Sequence, residues 1–434
     1  MILANRSVLR QMKIGVLADT HVGRSIPRAI GWLRRQAYRH AFTQAIDIFI
    51  QEGVVCLIHA GDMFEKRSMT PEDSVFVKGE LQRLADSISD RYHKEVAVFA
   101  VRGNHDGTPE NNALDYIKHP LAKYLRIIGD EILQGKAESQ TLNDLCLVGV
   151  AYHPYISRKF EELKPIIQKN FAQTHRLRVL VVHNFVRGHH HIPPGVPSHN
   201  WLDTRDLSEL GADVVISGHH HTRKESTGEN GTVLLTPGAT EAIDLSDEGV
   251  YGVYILEGKN SNRFIPIRPL HEIRNIKVDS QGTVKSTGWF ADMGSEEARA
   301  YSSSVRERNA QGILRLVLLG LSDGDPYRIE QHLTAELTKI KDATPGLLHI
   351  ELVNRVEDSR LTLTHPTLGK ADDFTAEILK PLAETAPEAL KLIEEVSMAL
   401  DEKASQTTGL LTGSDRAEFL PRWIKIFERS KKRV

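Results

Sequence analysis

A chain of 434 residues is long enough for two or three domains at about 100 to 200 residues each. With 40% apolar and 26% charged residues the composition is that of an ordinary globular protein, and a formal charge of -2 sets up no global field toward a nucleic acid or a membrane. Binding of a polyanion therefore has to come from local patches or from bound metal.

No apolar run approaches the ~20 residues needed to span a bilayer, and "LRVLVVHNFV" is among the longest. The first residues lack the basic, apolar and small-residue order of a secretory signal, so the expected compartment is cytoplasmic, nucleoid-associated in a prokaryote. Cys56 and Cys146 lie in apolar runs and read as buried free thiols. The strand pattern begins at Met12 or Lys13, which leaves the first eleven residues as an extension. From there to about Gly258 short apolar strands such as "KIGVLA", "VVCLIHA", "VAVFAV", "LRVLVVH" and "ADVVISG" alternate with helical patterns over 34–51 and 71–89. This predicts an α/β domain over 12–265, largely parallel at first, with hairpins or a second sheet later. A smaller mixed set of elements follows, read as a second, α+β domain over 266–365. The stretch 366–434 reads as helical, broken by Pro381 and Pro387, and Leu420, Trp423, Ile424 and Phe427 give its last helix one apolar stripe.

Five separated stretches carry metal-type ligands, each directly after an apolar strand. They are "LADTHVG" with Asp19 and His21, "HAGDMFE" with Asp62, "VRGNHDG" with Asn104, His105 and Asp106, "VVHNF" with His183, and "SGHHHTR" with His219 and His221. Singly each is weak, because Asp or Asn after a strand is common turn chemistry and a lone histidine is more often a core residue. Imidazoles, carboxylates and an amide without a thiolate suit Mn²⁺, Fe²⁺ or Zn²⁺ in an open, catalytic site. Side chains at i and i+2 of an extended chain point the same way, so Asp19 can converge with His21 and His219 with His221, leaving Thr20 and His220 facing elsewhere.

In this order, D-x-H, G-D, G-N-H-D, a strand-end H and G-H-x-H resemble the calcineurin-like metallophosphoesterase superfamily. The run "TPGATEAIDLSDEG", the length and the segment "PIRPLHEIRNIKVD" are most similar to its meiotic-recombination-eleven / SbcD type, a nuclease of DNA double-strand-break repair. The resemblance implies a four-layer α/β/β/α sandwich with a smaller α+β capping, DNA-binding domain and a C-terminal helical segment. It also implies two divalent cations, Mn²⁺ foremost. Asp62 would bridge them, Asp19, His21 and His221 would complete one, and Asn104, His183 and His219 the other. Cations about 3.5 to 4 Å apart hold a phosphodiester and activate water for in-line displacement. His105 would then be the general acid or phosphate-stabilising residue, with Asp106 orienting it. The implied activity is Mn-dependent exonuclease and single-strand endonuclease cleavage of DNA. The chain has no G-x-x-x-x-G-K-[ST] loop, so an SMC-like coiled-coil ATPase of the Rad-fifty type is the implied partner, docking on the C-terminal helices. A homodimer through 71–89 is implied as well.

Arg24, Arg28, Arg34, Arg35 and Arg39 follow the first motif with no acidic residue among them, and are the local candidates for gripping phosphates, against the alternative of a solvated helix face. His189, His190 and His191 match no metal motif and receive no role. In the resembled family a histidine commonly stands three residues after the bridging aspartate, where this chain has Glu65. A carboxylate there repels phosphate unless it binds metal or pairs with Lys66 or Arg67, so the departure leaves the metal chemistry intact and puts the processive exonuclease mode in question. The competing readings are a small-substrate phosphodiesterase or phosphatase on the same metals, and a catalytically silent scaffold subunit.

Overall fold

The computed structural model describes residues 12–362 apart from 122, 173, 175, 194 and 195, and beyond 362 only residues 392, 395, 396, 419 and 421–423. The expected partner-binding stretch 366–434 thus lies almost wholly outside the described residues.

Continuous apolar runs bury both faces of a strand, which is the condition for parallel pairing inside covering layers. One six-stranded sheet has the order Ser261–Pro266, Gly252–Gly258, Ile14–Leu17, Cys56–His59, Ala97–Val101, Leu125–Ile128. Its last four strands pair in parallel and its first two are antiparallel additions. The other six-stranded sheet has the order Lys224–Thr227, Val233–Thr236, Val214–Ser217, Leu177–Val182, Leu145–Val150, Gln140–Leu142, parallel over its four central strands. The chain returns to the first sheet after completing the second. Gly252–Gly258, in sequence simply one more late strand, pairs beside Ile14–Leu17.

Alternation along each strand gives the layers. Val16, Ile58 and Phe99 of one sheet meet Val179, Val181 and Ile216 of the other in a shared core. Their neighbours Leu17, Leu57 and Val98 turn outward onto Phe42, Ile46 and Phe49 of the Gly31–Glu52 helix and Val77 and Leu81 of the Pro71–Tyr92 helix. On the far side Val148, Leu180 and Val215 pack on Phe160, Leu163 and Ile167 of the Ile156–Ala172 helix. The result is an α/β/β/α sandwich. Thr70 caps Pro71–Tyr92 by accepting from the Asp73 N–H, with Pro71 at the first helical position where its missing donor costs nothing.

Farther along, Glu272–Lys285, Gly312–Ser322 and Leu347–Asp358 form a three-stranded sheet in that order, and the helices Thr287–Glu307 and Tyr327–Asp342 stand in its connections. The chain divides into two compact units. Among the described residues one comprises 12–279, Phe290–Leu318 and Glu330–Asn354, and the other Ser280–Trp289, Leu319–Ile329 and 355–362. Within the first, Ile313 packs with Ile30 and Leu245. Cys56 and Cys146 are free and buried, and no helix among the described residues is long and apolar enough to cross a membrane.

Candidate metal centre

Parallel strands present their carboxyl ends along one edge, where open α/β sheets hold ligands. Here two such edges combine. The strands Ile14–Leu17, Cys56–His59 and Ala97–Val101 deliver Asp19 and His21, Asp62, and His105; Leu177–Val182 and Val214–Ser217 deliver His183, and His219 and His221. Three overlapping groups form: Asp19, His21 and His221; His21, Asp62 and His105; Asp62, His183 and His219. Within each group one donor atom per residue lies within 4.8 Å of the others. Asn104 stands exposed on the loop that carries His105.

The backbone is bent to make this possible. Asp19, His21, Asp62 and His219 all have positive φ, at 50°, 39°, 54° and 73°, a region uncommon for residues other than glycine and concentrated at functional sites. The first two loops are laced together, the Asp19 N–H donating to Gly61 O at 3.0 Å and the His21 N–H to Asp62 O at 3.1 Å. Two glycines clear the space. A Cβ on Gly61 would collide with the His183 ring, and one on Gly103 with the Asp62 carboxylate.

Hydrogen bonds set the imidazoles. The Nδ1–H of His183 donates to Ala60 O at 2.7 Å, which turns Nε2 toward Asp62 Oδ2, 3.2 Å away. His219 donates its backbone N–H to both Asp19 oxygens, at 3.1 and 3.2 Å. His105 donates its backbone N–H to Asp62 Oδ1 at 2.8 Å, while its Nδ1 lies 2.8 Å from Glu65 O, leaving Nε2 as the free end of the ring.

Three buried atoms at the middle, His21 Nε2, Asp62 Oδ2 and His183 Nε2, have no hydrogen-bond partner. Buried polar atoms are seldom left so, and a shared cation satisfies all three. The electrostatics agree. Burial pushes Asp19 up to about 6. Burial also opposes charge on His183, yet the facing Asp62 raises it to about 9; in return His183, against the same burial, holds Asp62 well below the carboxylate range. The pocket calls for positive charge, which a proton on His183 supplies and a divalent cation supplies by displacing it. The donor set therefore fits divalent metal.

Other sequence expectations need correction. Asp106 does not touch His105: its buried carboxylate accepts from the N–H groups of Gly103 at 2.9 Å, Phe64 at 3.1 Å and Met63 at 3.4 Å, tying two loops together. The ring of His105 is steered by the Glu65 carbonyl instead. Arg34 is wholly buried against Glu241 and Ala242 O, so its guanidinium is not available to a phosphate. Arg35 and Arg39 both bind the buried Asp73, and Arg24 binds Glu65. Arg28 alone of the five is exposed. Glu65 pairs with Arg24 and His21, not with Lys66 or Arg67. The roles of Gly61 and Gly103 went unread, although each immediately precedes a motif residue, Asp62 or Asn104.

Residues 12–223 match the model of the calcineurin-like phosphoesterase family. The chain carries a calcineurin-like metallophosphoesterase domain, the class of metal-dependent hydrolase whose donors its strand ends display. Among curated proteins it is similar to the DNA double-strand break repair protein Mre11 of Methanosarcina acetivorans, 25% identical over 285 residues, 63% of this chain and 41% of that protein. The protein of the same name from Sulfolobus acidocaldarius is 25% identical over 400 residues, 90% of this chain and 96% of that protein. The chain thus spans less than half the length of the first relative and nearly all of the second. Among solved structures it is similar to a dimetal phosphatase from Danio rerio, with a TM-score of 0.38 and 12% identity over 59% of this chain and 99% of that one.

Proposed function

We propose that this chain is a phosphodiesterase that cleaves DNA with two divalent cations, Mn²⁺ foremost, as the nuclease of a double-strand-break repair complex. The observation that carries the reading is the convergence of three donor groups, with unpartnered His21 Nε2, Asp62 Oδ2 and His183 Nε2 at their centre. Two cations bound there would supply an activated water and neutralise charge developing on the phosphate. Asp19, His21 and His221 would hold one, Asn104, His183 and His219 the other, and Asp62 would bridge.

The chain's own groups do the rest. Ala60 O holds His183 in the tautomer whose Nε2 lone pair faces the carboxylates. Glu65 O holds the Nδ1–H of His105, so that Nε2 is the end that reaches a leaving oxygen, to which it would give a proton from the ring protonated on both nitrogens. The similar proteins from Methanosarcina acetivorans and Sulfolobus acidocaldarius are named for DNA double-strand break repair, and the second aligns over nearly its full length. A polymeric substrate is also favoured by an aromatic pair at the rim: Tyr155, half exposed, stacks on His199 at 4.7 Å, and its neighbour Tyr152 lies 5.5 Å from His219. Exposed rings of this kind stack on unpaired bases. Arg28 remains a candidate phosphate contact. Docking of a Rad-fifty-type ATPase on 366–434 and a homodimer through 71–89 belong to the same proposal.

The test is hydrolysis of circular single-stranded DNA and of bis-p-nitrophenyl phosphate, with Mn²⁺, by the wild type and Asp62→Ala. Cleavage of both substrates by the wild type alone is expected. Turnover of the small ester beside intact DNA would overturn the nuclease reading in favour of a small-substrate enzyme.

A further inference from the structure

We propose that Glu65 is a positioning residue that sets two imidazoles of the centre at once, its side chain fixing His21 and its main chain fixing His105, with Arg24 as its counter-ion. The proposal rests on the reading of the cluster as a metal centre, and deepens it.

His21 is fully buried, and its two nitrogens face different neighbours. Nε2 looks toward Asp62 Oδ2, 3.9 Å away, and Nδ1 lies 3.2 Å from Glu65 Oε2, an ion-pair contact that does not meet hydrogen-bond geometry. A carboxylate can only accept, so it selects the tautomer with the proton on Nδ1 and leaves the lone pair on Nε2, the atom turned toward the donor groups. Glu65 itself belongs to none of the three donor groups found among the described residues. Its place is behind the ring.

The carboxylate is in turn fixed. Arg24 Nη1 donates to both of its oxygens, at 2.8 and 3.0 Å, and Arg24 Nε donates to Ile243 O at 2.9 Å, so the guanidinium is anchored at both ends. Without that arginine a third carboxylate beside Asp19 and Asp62 would burden the centre with uncompensated negative charge. On the main chain the Glu65 N–H donates to Val22 O at 3.1 Å, and the Glu65 carbonyl accepts from His105 Nδ1 at 2.8 Å. The rings of His21 and His105 meet edge to face, centroids 4.9 Å apart and planes at 89°. One residue therefore holds the imidazole that faces metal and the one that faces the leaving group. Arg24, a candidate for phosphate, is engaged in holding it.

Groups that orient a metal-bound histidine are worth about 10- to 100-fold in metal affinity. The experiment is titration of the full chain with Mn²⁺, free ion being read by electron paramagnetic resonance, for the wild type, Glu65→Ala, Glu65→Gln, Arg24→Ala and the Glu65→Ala/Arg24→Ala pair, with thermal unfolding of each as the control for folding. Glu65→Ala should weaken one of two Mn²⁺ sites by about 10- to 100-fold. Glu65→Gln, whose amide oxygen still accepts from Nδ1–H, should recover most of that loss. The double variant should be no weaker than Glu65→Ala, because both residues act along one path. Wild-type affinity at both sites in folded Glu65→Ala would overturn the proposal, as would Glu65→Gln binding as poorly as Glu65→Ala. A wild type that takes up no pair of Mn²⁺ ions would instead overturn the metal centre itself, so the two failures are distinct.

Discussion

The chain holds two runs of three histidines, His189 to His191 and His219 to His221, and they touch: the ring of His190 lies flat on that of His220, centroids 4.5 Å apart and 2° from parallel. In the second run alternate residues enter the donor groups while His220 bonds the Thr222 carbonyl at 2.9 Å. In the first run the nitrogens of His189 and His190 are spent on neighbours. The Val186 N–H donates to His190 Nδ1 at 2.9 Å, so the His190 proton is on Nε2 and goes to Thr236 Oγ1 at 2.7 Å. That hydroxyl's proton then goes to His189 Nε2 at 3.0 Å, and His189 Nδ1–H to Ser226 Oγ at 2.6 Å. Neither of these two rings keeps a lone pair for a cation. Composition does not separate the two runs; position does. One leaves the carboxyl end of a central parallel strand, and the other follows the short Phe185–Arg187 strand and Gly188.

The contrast can be broken most sharply by removing one imidazole from each run. His219→Ala should lose one of two bound Mn²⁺ ions and cut turnover of bis-p-nitrophenyl phosphate by about 10³-fold or more, as the loss of several kcal/mol of charge stabilisation requires. His190→Ala should keep both ions. Equal metal loss in the two variants, measured by elemental analysis of the purified proteins, would erase the distinction. His105→Ala sharpens it further, since His105 is a strand-end imidazole read as acid and not as ligand. Both Mn²⁺ ions should stay while cleavage falls by about 10²-fold or more.

The loop that begins with the first run also carries His199, under the half-exposed Tyr155. If that loop serves substrate and not metal, Tyr155→Ala should raise the KM for a single-stranded oligonucleotide about 5-fold, the lower end of what one stacked base contributes. An unchanged KM would leave the first run with an internal role only.

The same contrast marks how far the sequence was legible. Asp19, His21, Asp62, His183, His219 and His221 were readable because each follows an apolar run, and parallel strands bring such positions to one edge whatever their separation along the chain. The pairings that decide Arg34 and Glu65 were not. Arg34 meets Glu241 across 207 positions and Glu65 meets Arg24 across 41, and a charged side chain carries no local mark of its distant partner. Asp106 misled for a related reason: adjacency to His105 suggested contact, whereas consecutive side chains point apart and the carboxylate goes to backbone donors. The return of Gly252–Gly258 to the first sheet was equally silent, because an apolar strand reads alike in either sheet.

The smallest effect expected concerns acid stability. Burial lowers His189 from its ordinary 6.5 to about 4 in the folded chain, where both nitrogens are bonded as a neutral ring. Unfolding frees that ring to take up a proton at any pH between those values, so the stability it contributes is whole above 6.5 and is lost as pH falls toward 4. The slope for one such group is about 1.4 kcal/mol per pH unit within the window. Urea unfolding at pH 7 and pH 5 should show the wild type losing stability on acidification, and His189→Gln should flatten that dependence by about one proton while starting from a lower value at pH 7. If the variant keeps the full wild-type slope, the ring of His189 is not held neutral by Ser226 and Thr236, and the first histidine run loses the feature that sets it apart from the second.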